Sequence, residues 1–234
     1  MAYSHLLFDH DGVLVNTEPL YLQAIQEQLA TLGVELAKAD YIQNMAVGAD
    51  PWMLARNAGC DEAAVDRLRN ARNARYQQLL QNRPIRIAGV DAVVATLATQ
   101  FKLAIVTTSR DADFDLIHGL DVGIDGGLNQ GLNSGPKTKY APDVVRHMDL
   151  ILKRSHYTNS KPDPESYLLA LSRFGIAPTQ ALVIEDSERG LRSAVAAGID
   201  CAVIDHPFTA AQNFAKARYR FANLEALQEF LLNQ

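Results

Sequence analysis

Residues 4–17 read SHLLFDHDGVLVNT, and this stretch constrains the chain more than any other. Leu6, Leu7 and Phe8 make a short apolar run that stops at Asp9 and turns through Asp11 and Gly12. A central strand ending at an acid presents carboxylates at the edge of a sheet. Two acids two positions apart, followed by a glycine that lets the backbone approach a ligand, suit phosphoryl transfer. One carboxylate can attack phosphorus, the second can shuttle a proton, and a metal can sit between them. Asp-x-Asp-Gly also opens calcium loops. Such a loop needs a bidentate Glu at its twelfth position, and counting from Asp9 that position is Leu20.

After Thr17 the period becomes helical. Leu22, Ile25, Leu29 and Leu32 recur at helix spacing and Gly33 ends the run. A second helical piece covers 37–45, Asp50-Pro51 opens a third, and Asp61 caps a long helix reaching about Leu80. No strand signal interrupts 18–82, so 16–85 is expected to form a helical cap, with 1–15 and 86–234 as the core. Strands are expected at 102–106, 148–152, 181–184 and 201–204, alternating with helices at 90–100, 111–118, 163–174 and 188–197. That alternation implies an α/β core with a doubly wound parallel, Rossmann-like sheet. Right-handed crossovers bring every strand's carboxyl end to one edge. Asp9, Thr107, Glu185 and Asp186 follow strands, and Lys161 lies in a loop beyond another, so these groups converge on one crevice. The stretch 119–146, rich in glycine, is too long for an ordinary connection and reads as an insertion leaving the sheet on the side away from Asp9.

Composition narrows the partners. A net charge of −5 gives no basic surplus for nucleic acid. The isolated Cys60 and Cys201 support neither a disulfide framework nor a zinc site, which fits a reducing cytoplasm. No apolar run approaches a membrane span and no signal segment is evident. The six histidines show no close pair and read as surface or core residues.

The segments FDHDGVL, AIVTTSR, SKPDPESYLLAL and VIEDSERGL, in this order, resemble the four signature motifs of the haloacid dehalogenase-like superfamily. More narrowly they resemble its phosphatase and β-phosphoglucomutase-like branch, which carries a small helical cap between the first two motifs. The resemblance is weakest in the cap and absent from 119–146. It implies Asp9 as nucleophile and Asp11 as acid and base, a role that asks for a carboxyl partly protonated at neutral pH. Lys161 and Thr107 would hold the phosphate, with Gly12, Thr108 and Ser109 beside it. Asp9, Asp11, Glu185 and Asp186 would hold Mg²⁺. The expected activity is hydrolysis of a small soluble phosphomonoester, such as a sugar phosphate, by a monomer or weak homodimer. The alternatives are a phosphosugar mutase and a non-catalytic phosphometabolite-binding protein. Tyr21 stands where the mutase has a histidine, and the loop 47–50 lacks its arginine; both favour hydrolysis. His10 and Asn16 replace an apolar residue and an aspartate. Arg69, Arg72 and Arg75 recur on the long cap helix; a solvated face is the plain reading, with Arg72 singled out for substrate.

Overall fold

A computed structural model describes residues 3–120 and 138–233. Strands β1 (His5–Phe8), β2 (Lys102–Val106), β3 (Leu150–Leu152), β4 (Ala181–Glu185), β5 (Asp200–Ile204) and β6 (Tyr219–Phe221) form one sheet in the order β3-β2-β1-β4-β5-β6. Every adjacent pair is parallel. Its central strands are apolar at consecutive positions because both faces are covered. Leu6, Phe8, Leu103 and Ile105 face a cluster built with α5 (Val90–Leu97) and α9 (Leu224–Leu232), with Phe114 of α6 (Asp111–His118). Leu7, Ala104, Val106 and Val183 face α7 (Glu165–Phe174) and α8 (Glu188–Ala196). Strand order reverses between β1 and β4, so the crevice for a ligand opens at Asp9.

The helices α1 (Glu18–Ala30), α2 (Lys38–Val47), α3 (Met53–Asn57) and α4 (Glu62–Asn82) form the smaller helical cap, with their own apolar cluster around Leu22, Ile25, Leu29, Trp52 and Val65. Asp61 caps α4 by accepting from the Ala64 amide at 2.7 Å. The two strands of chain joining cap to core pair with one another: the Asn16 amide donates to the Ile85 carbonyl at 2.7 Å, and Val15 bridges Arg86 antiparallel. The core reaches back into the cap, for Phe208 of the β5–β6 connection sits in the cap's cluster, 6.0 Å from the Tyr41 ring.

The sequence reading stops at the fifth strand, whereas the chain adds β6 and α9, whose Leu224, Leu227 and Leu231 close one face of the sheet. Of the expected insertion, 121–137 lie outside the described residues. The return segment is tied down: Ala141 packs with Leu79, Leu80 and Ile85 beneath the cap, and Arg86 donates to its carbonyl at 2.7 Å. This part of the insertion therefore belongs to the cap-side packing, against the expectation of a segment leaving the far side of the sheet. Among the described residues, no helix is long and apolar enough to cross a membrane.

Candidate active site

Asp9 continues β1 and its amide is held by the Ile184 carbonyl of β4 at 2.9 Å, which fixes the acid at the switch point. Lys161 meets it from the loop before α7. The Lys161 Nζ donates to Asp9 Oδ1 at 2.8 Å, to Glu185 Oε1 at 2.8 Å and to the Val106 carbonyl at 2.9 Å. Burial would strip the proton from Lys161, but the charges of Asp9 and Glu185 outweigh it and hold the amine above its ordinary range. Glu185 is fully buried; it also accepts from the Tyr167 hydroxyl at 2.9 Å and the Ser187 hydroxyl at 3.0 Å. Burial favours its neutral form, yet Lys161 and these donors keep it below the usual carboxylate range. Glu185 thus orients the lysine, with both oxygens already engaged.

Asp9, Glu185 and Asp186 each offer an oxygen within 4.8 Å of the others. Asp186 Oδ2 is buried without a hydrogen-bond partner. Burial, with the charges of Glu185 and Asp9, pushes Asp186 well above the carboxylate range; burial and the charge of Glu185, outweighing Lys161, push Asp9 up to about 6. A floor of crowded oxygens short of positive charge fits a hard divalent cation such as Mg²⁺. Gly12, at φ 84°, completes this floor: a Cβ there would lie 2.1 Å from Asp186 Oδ2, so only glycine lets the turn rest on that carboxylate.

Asp11 departs from expectation. Its carboxylate accepts from the hydroxyls of Thr17 and Ser109. Burial alone would raise it, but His10 and these two donors hold it well below the carboxylate range, ionised rather than partly protonated. Thr17 precedes α1 without capping it; its hydroxyl is spent on Asp11. Two of the histidines are core residues and meet in space. His10 and His118, 108 positions apart, are buried with their Nε2 atoms 2.9 Å from each other, a pair no local spacing shows.

A cavity of about 220 Å³ lies above this floor, walled by Asp9, Asp11, Ser109 and Asp186 from the core and by Tyr21 and Tyr41 from the cap. Thr108 also lines it. Thr107 is fully buried behind it: its Oγ1 accepts from the Ser109 amide at 2.9 Å and its carbonyl from the Tyr157 hydroxyl at 2.6 Å. Arg69, Arg72 and Arg75 of α4 part company. Arg69 and Arg75 pair with Asp50 and Glu27, while Arg72 turns inward over the Tyr21 ring at 4.3 Å. Sequence reasoning passed over Glu18 and Arg189, which also line the cavity. Position offered a signal for both: Glu18 follows the hinge, and Arg189 stands three residues after Asp186 in the first turn of α8.

A family model described as haloacid dehalogenase-like hydrolase matches residues 3–198. The CbbY protein of Rhodobacter capsulatus is 28% identical, over 97% of this chain and 96% of its own. The fructose-1-phosphate phosphatase YqaB of Escherichia coli is 27% identical, over 85% of this chain and 94% of its own. Among solved structures, a variant CbbY of Rhodobacter sphaeroides in complex with xylulose-(1,5)bisphosphate superposes with a TM-score of 0.72 at 23% identity, covering 95% of each chain.

Proposed function

The chain belongs to the haloacid dehalogenase-like hydrolases, and on that premise we propose that it is a cytoplasmic phosphatase hydrolysing a small phosphomonoester through an aspartyl-phosphate at Asp9. One observation carries the reading: Lys161 grips the inner oxygen of Asp9 while a buried, unpartnered oxygen of Asp186 faces the same cavity. With one oxygen held, the other is left to attack phosphorus along a fixed line. Lys161, braced by Glu185, neutralises charge gathering on the phosphoryl group, and the Thr108 hydroxyl, which accepts from Arg189, offers its proton to the phosphoryl oxygens. Asp9, Asp186 and the turn at Asp11 would hold Mg²⁺, which when bound screens the repulsion between carboxylate and phosphate. Asp11, ionised as it stands, suits the base that activates water for the second step. To protonate the leaving oxygen it must first take up a proton, which an approaching phosphate dianion favours by raising its pKa. Tyr21, Tyr41 and Arg72 of the cap face the organic part of the substrate. The names of the relatives, a fructose-1-phosphate phosphatase among them, support a phosphorylated carbohydrate.

The test is phosphate release from sugar phosphates, phosphoglycolate and nucleotides by purified protein, with and without Mg²⁺. Release that requires the cation is expected. Conversion of β-glucose 1-phosphate into glucose 6-phosphate, dependent on a bisphosphate primer, would replace hydrolysis by the mutase reading.

A further inference from the structure

Three arginines of the cap are matched by acids, while Arg67 and Arg83 lie exposed. Arg56 meets Asp50 at 2.8 Å and Glu62 at 2.6 Å; Arg69 meets Asp50 at 3.0 Å; Arg75 meets Glu27 at 2.6 Å. Arg72 is not matched. It is only 7% exposed; its Nε donates to the Asn73 side chain at 2.9 Å, and it also interacts with the Tyr21 hydroxyl. Its remaining support is aromatic, from Tyr21 at 4.3 Å and Trp52 at 5.9 Å. Arg189 is half-buried and likewise has no acid beside it. Its Nη2 donates to the Thr108 hydroxyl at 3.0 Å, and the charges of Glu18 and Asp9 reach it only at longer range. Among the described residues, neither guanidinium has a carboxylate within the 4.0 Å of an ion pair. A buried cation without a counter-ion is costly, and the cost is recovered when an anion arrives.

Both groups face the same space. Beside the 220 Å³ cavity over Asp9 lies a second, of about 310 Å³, inside the cap. The two share Tyr21, Tyr41, Met45 and Arg189 as walls. Arg72 lines the second cavity, and Arg189 is the one wall residue there, among the described residues, that the cap does not supply. The combined space is polarised. Asp9, Asp11, Glu18 and Asp186 crowd the Asp9 end, whereas at the cap end Asp50 is taken up by Arg69, leaving the guanidinium forks of Arg72 and Arg189.

We propose that Arg189 sets substrate choice by binding a second anionic group, a carboxylate or a second phosphate, on the phosphomonoester, with Arg72 facing that group from the cap. This rests on the phosphatase reading above and names its substrate class. A guanidinium fork matches either anion with two parallel hydrogen bonds, and burial strengthens them. Arg189 belongs to the same first turn of α8 that follows Asp186, so the reacting phosphoryl group and the distal anion are measured from one rigid element.

The experiment compares matched pairs on the Mg²⁺-loaded enzyme: glycerol 3-phosphate against 3-phosphoglycerate, and fructose 6-phosphate against fructose 1,6-bisphosphate. The readout is the ratio of kcat/KM within each pair. Wild type is expected to favour the doubly anionic member of at least one pair by about tenfold or more, and which pair shows it separates carboxylate from phosphate. Arg189→Gln should bring that ratio close to one, Arg189→Lys should restore it in part, and Arg72→Gln should lower it from the opposite wall. Wild-type ratios near one in both pairs, with the single phosphates hydrolysed well, would overturn the proposal and leave the phosphatase reading standing. Equal losses on both members of a pair in Arg189→Gln would also overturn it, reducing Arg189 to a support for Thr108. Should Arg189→Gln not fold, an unchanged ratio in Arg72→Gln does the same. No phosphate release from any of the four compounds would overturn the phosphatase reading itself and the proposal with it.

Discussion

Replacing Gly190 with alanine tests the site against ordinary helix energetics, because the two predict opposite signs. Gly190 lies in the first turn of α8, where alanine is favoured over glycine by up to about 1 kcal/mol. Its Cβ, however, would stand 1.8 Å from Glu185 Oε1 and 2.2 Å from Oε2. A free glutamate would swing aside. Glu185 is fully buried and fastened by Lys161, Tyr167 and Ser187, so it can move only by giving up hydrogen bonds to a charged group. Each is worth about 1.5–3 kcal/mol. Losing two and gaining the helix preference leaves Gly190→Ala destabilised by roughly 2–5 kcal/mol. For a chain of this size that lowers Tm by at least about 4 °C. Because Glu185 braces the lysine that grips Asp9, kcat should fall by about tenfold or more alongside. Thermal unfolding followed by circular dichroism, with steady-state phosphate release on the same preparation, measures both. A Tm equal to or above wild type would refute the packing argument.

Other perturbations follow from the same geometry. Asp9→Asn should lower kcat on every phosphomonoester by on the order of 10³ or more, since it removes the attacking group; near wild-type turnover in purified protein would remove Asp9 from that role. Adding Mg²⁺ to chelator-treated protein should raise Tm, by a few degrees at a hundredfold excess over Kd, because the ion relieves the crowding around Asp186; Asp186→Asn should weaken that response in a titration calorimeter. Glu18 supplies a pH test. Burial, aided by the charge of Asp11, pushes its carboxyl up to about 7, above an unfolded value of about 4.3, so its contribution to stability falls as pH rises between those values. Glu18→Gln should therefore compare better with wild type at pH 8 than at pH 5, and a Tm difference independent of pH would contradict the assignment. The half-exposed Arg75–Glu27 pair, by contrast, should show little coupling in a double-mutant cycle, because water screens it.

The sequence made some of this plain and hid the rest for identifiable reasons. A strand buried on both faces is written as consecutive apolar residues bounded by polar ones, so 102–106 and the helix after it at 111–118 could be read directly. Carboxylates just past strand ends announce the crevice, because parallel topology decides where strand ends go. Side-chain direction is not written that way. Arg69, Arg72 and Arg75 look alike along the chain, and only packing of α4 against α1 turns one of them inward. The ionised state of Asp11 depends on Thr17 and on Ser109, the latter 98 positions away. The His10–His118 pair and the role of Arg189 beside Thr108 depend likewise on contacts between distant segments. Short elements at the sheet margin, β6 above all, carry too few residues to show a period.

Phe208 gives the cap a detent. Its ring is 4% exposed among cap residues, with Lys38 Nζ 4.9 Å above it, although its backbone belongs to the core. Any swing of the helices wide enough to admit a sugar must either withdraw that ring, forfeiting about 1.5–3 kcal/mol of apolar burial, or drag the loop along with it. That loop begins at the end of β5 and carries His206, 4.0 Å from Asp186 Oδ2. Dragging it would tug on the floor of the cavity, so the cap's movement and the position of Asp186 are mechanically geared. Trimming Phe208 to alanine would slacken the gear, letting the cap drift open without removing a side chain that lines the cavity over Asp9.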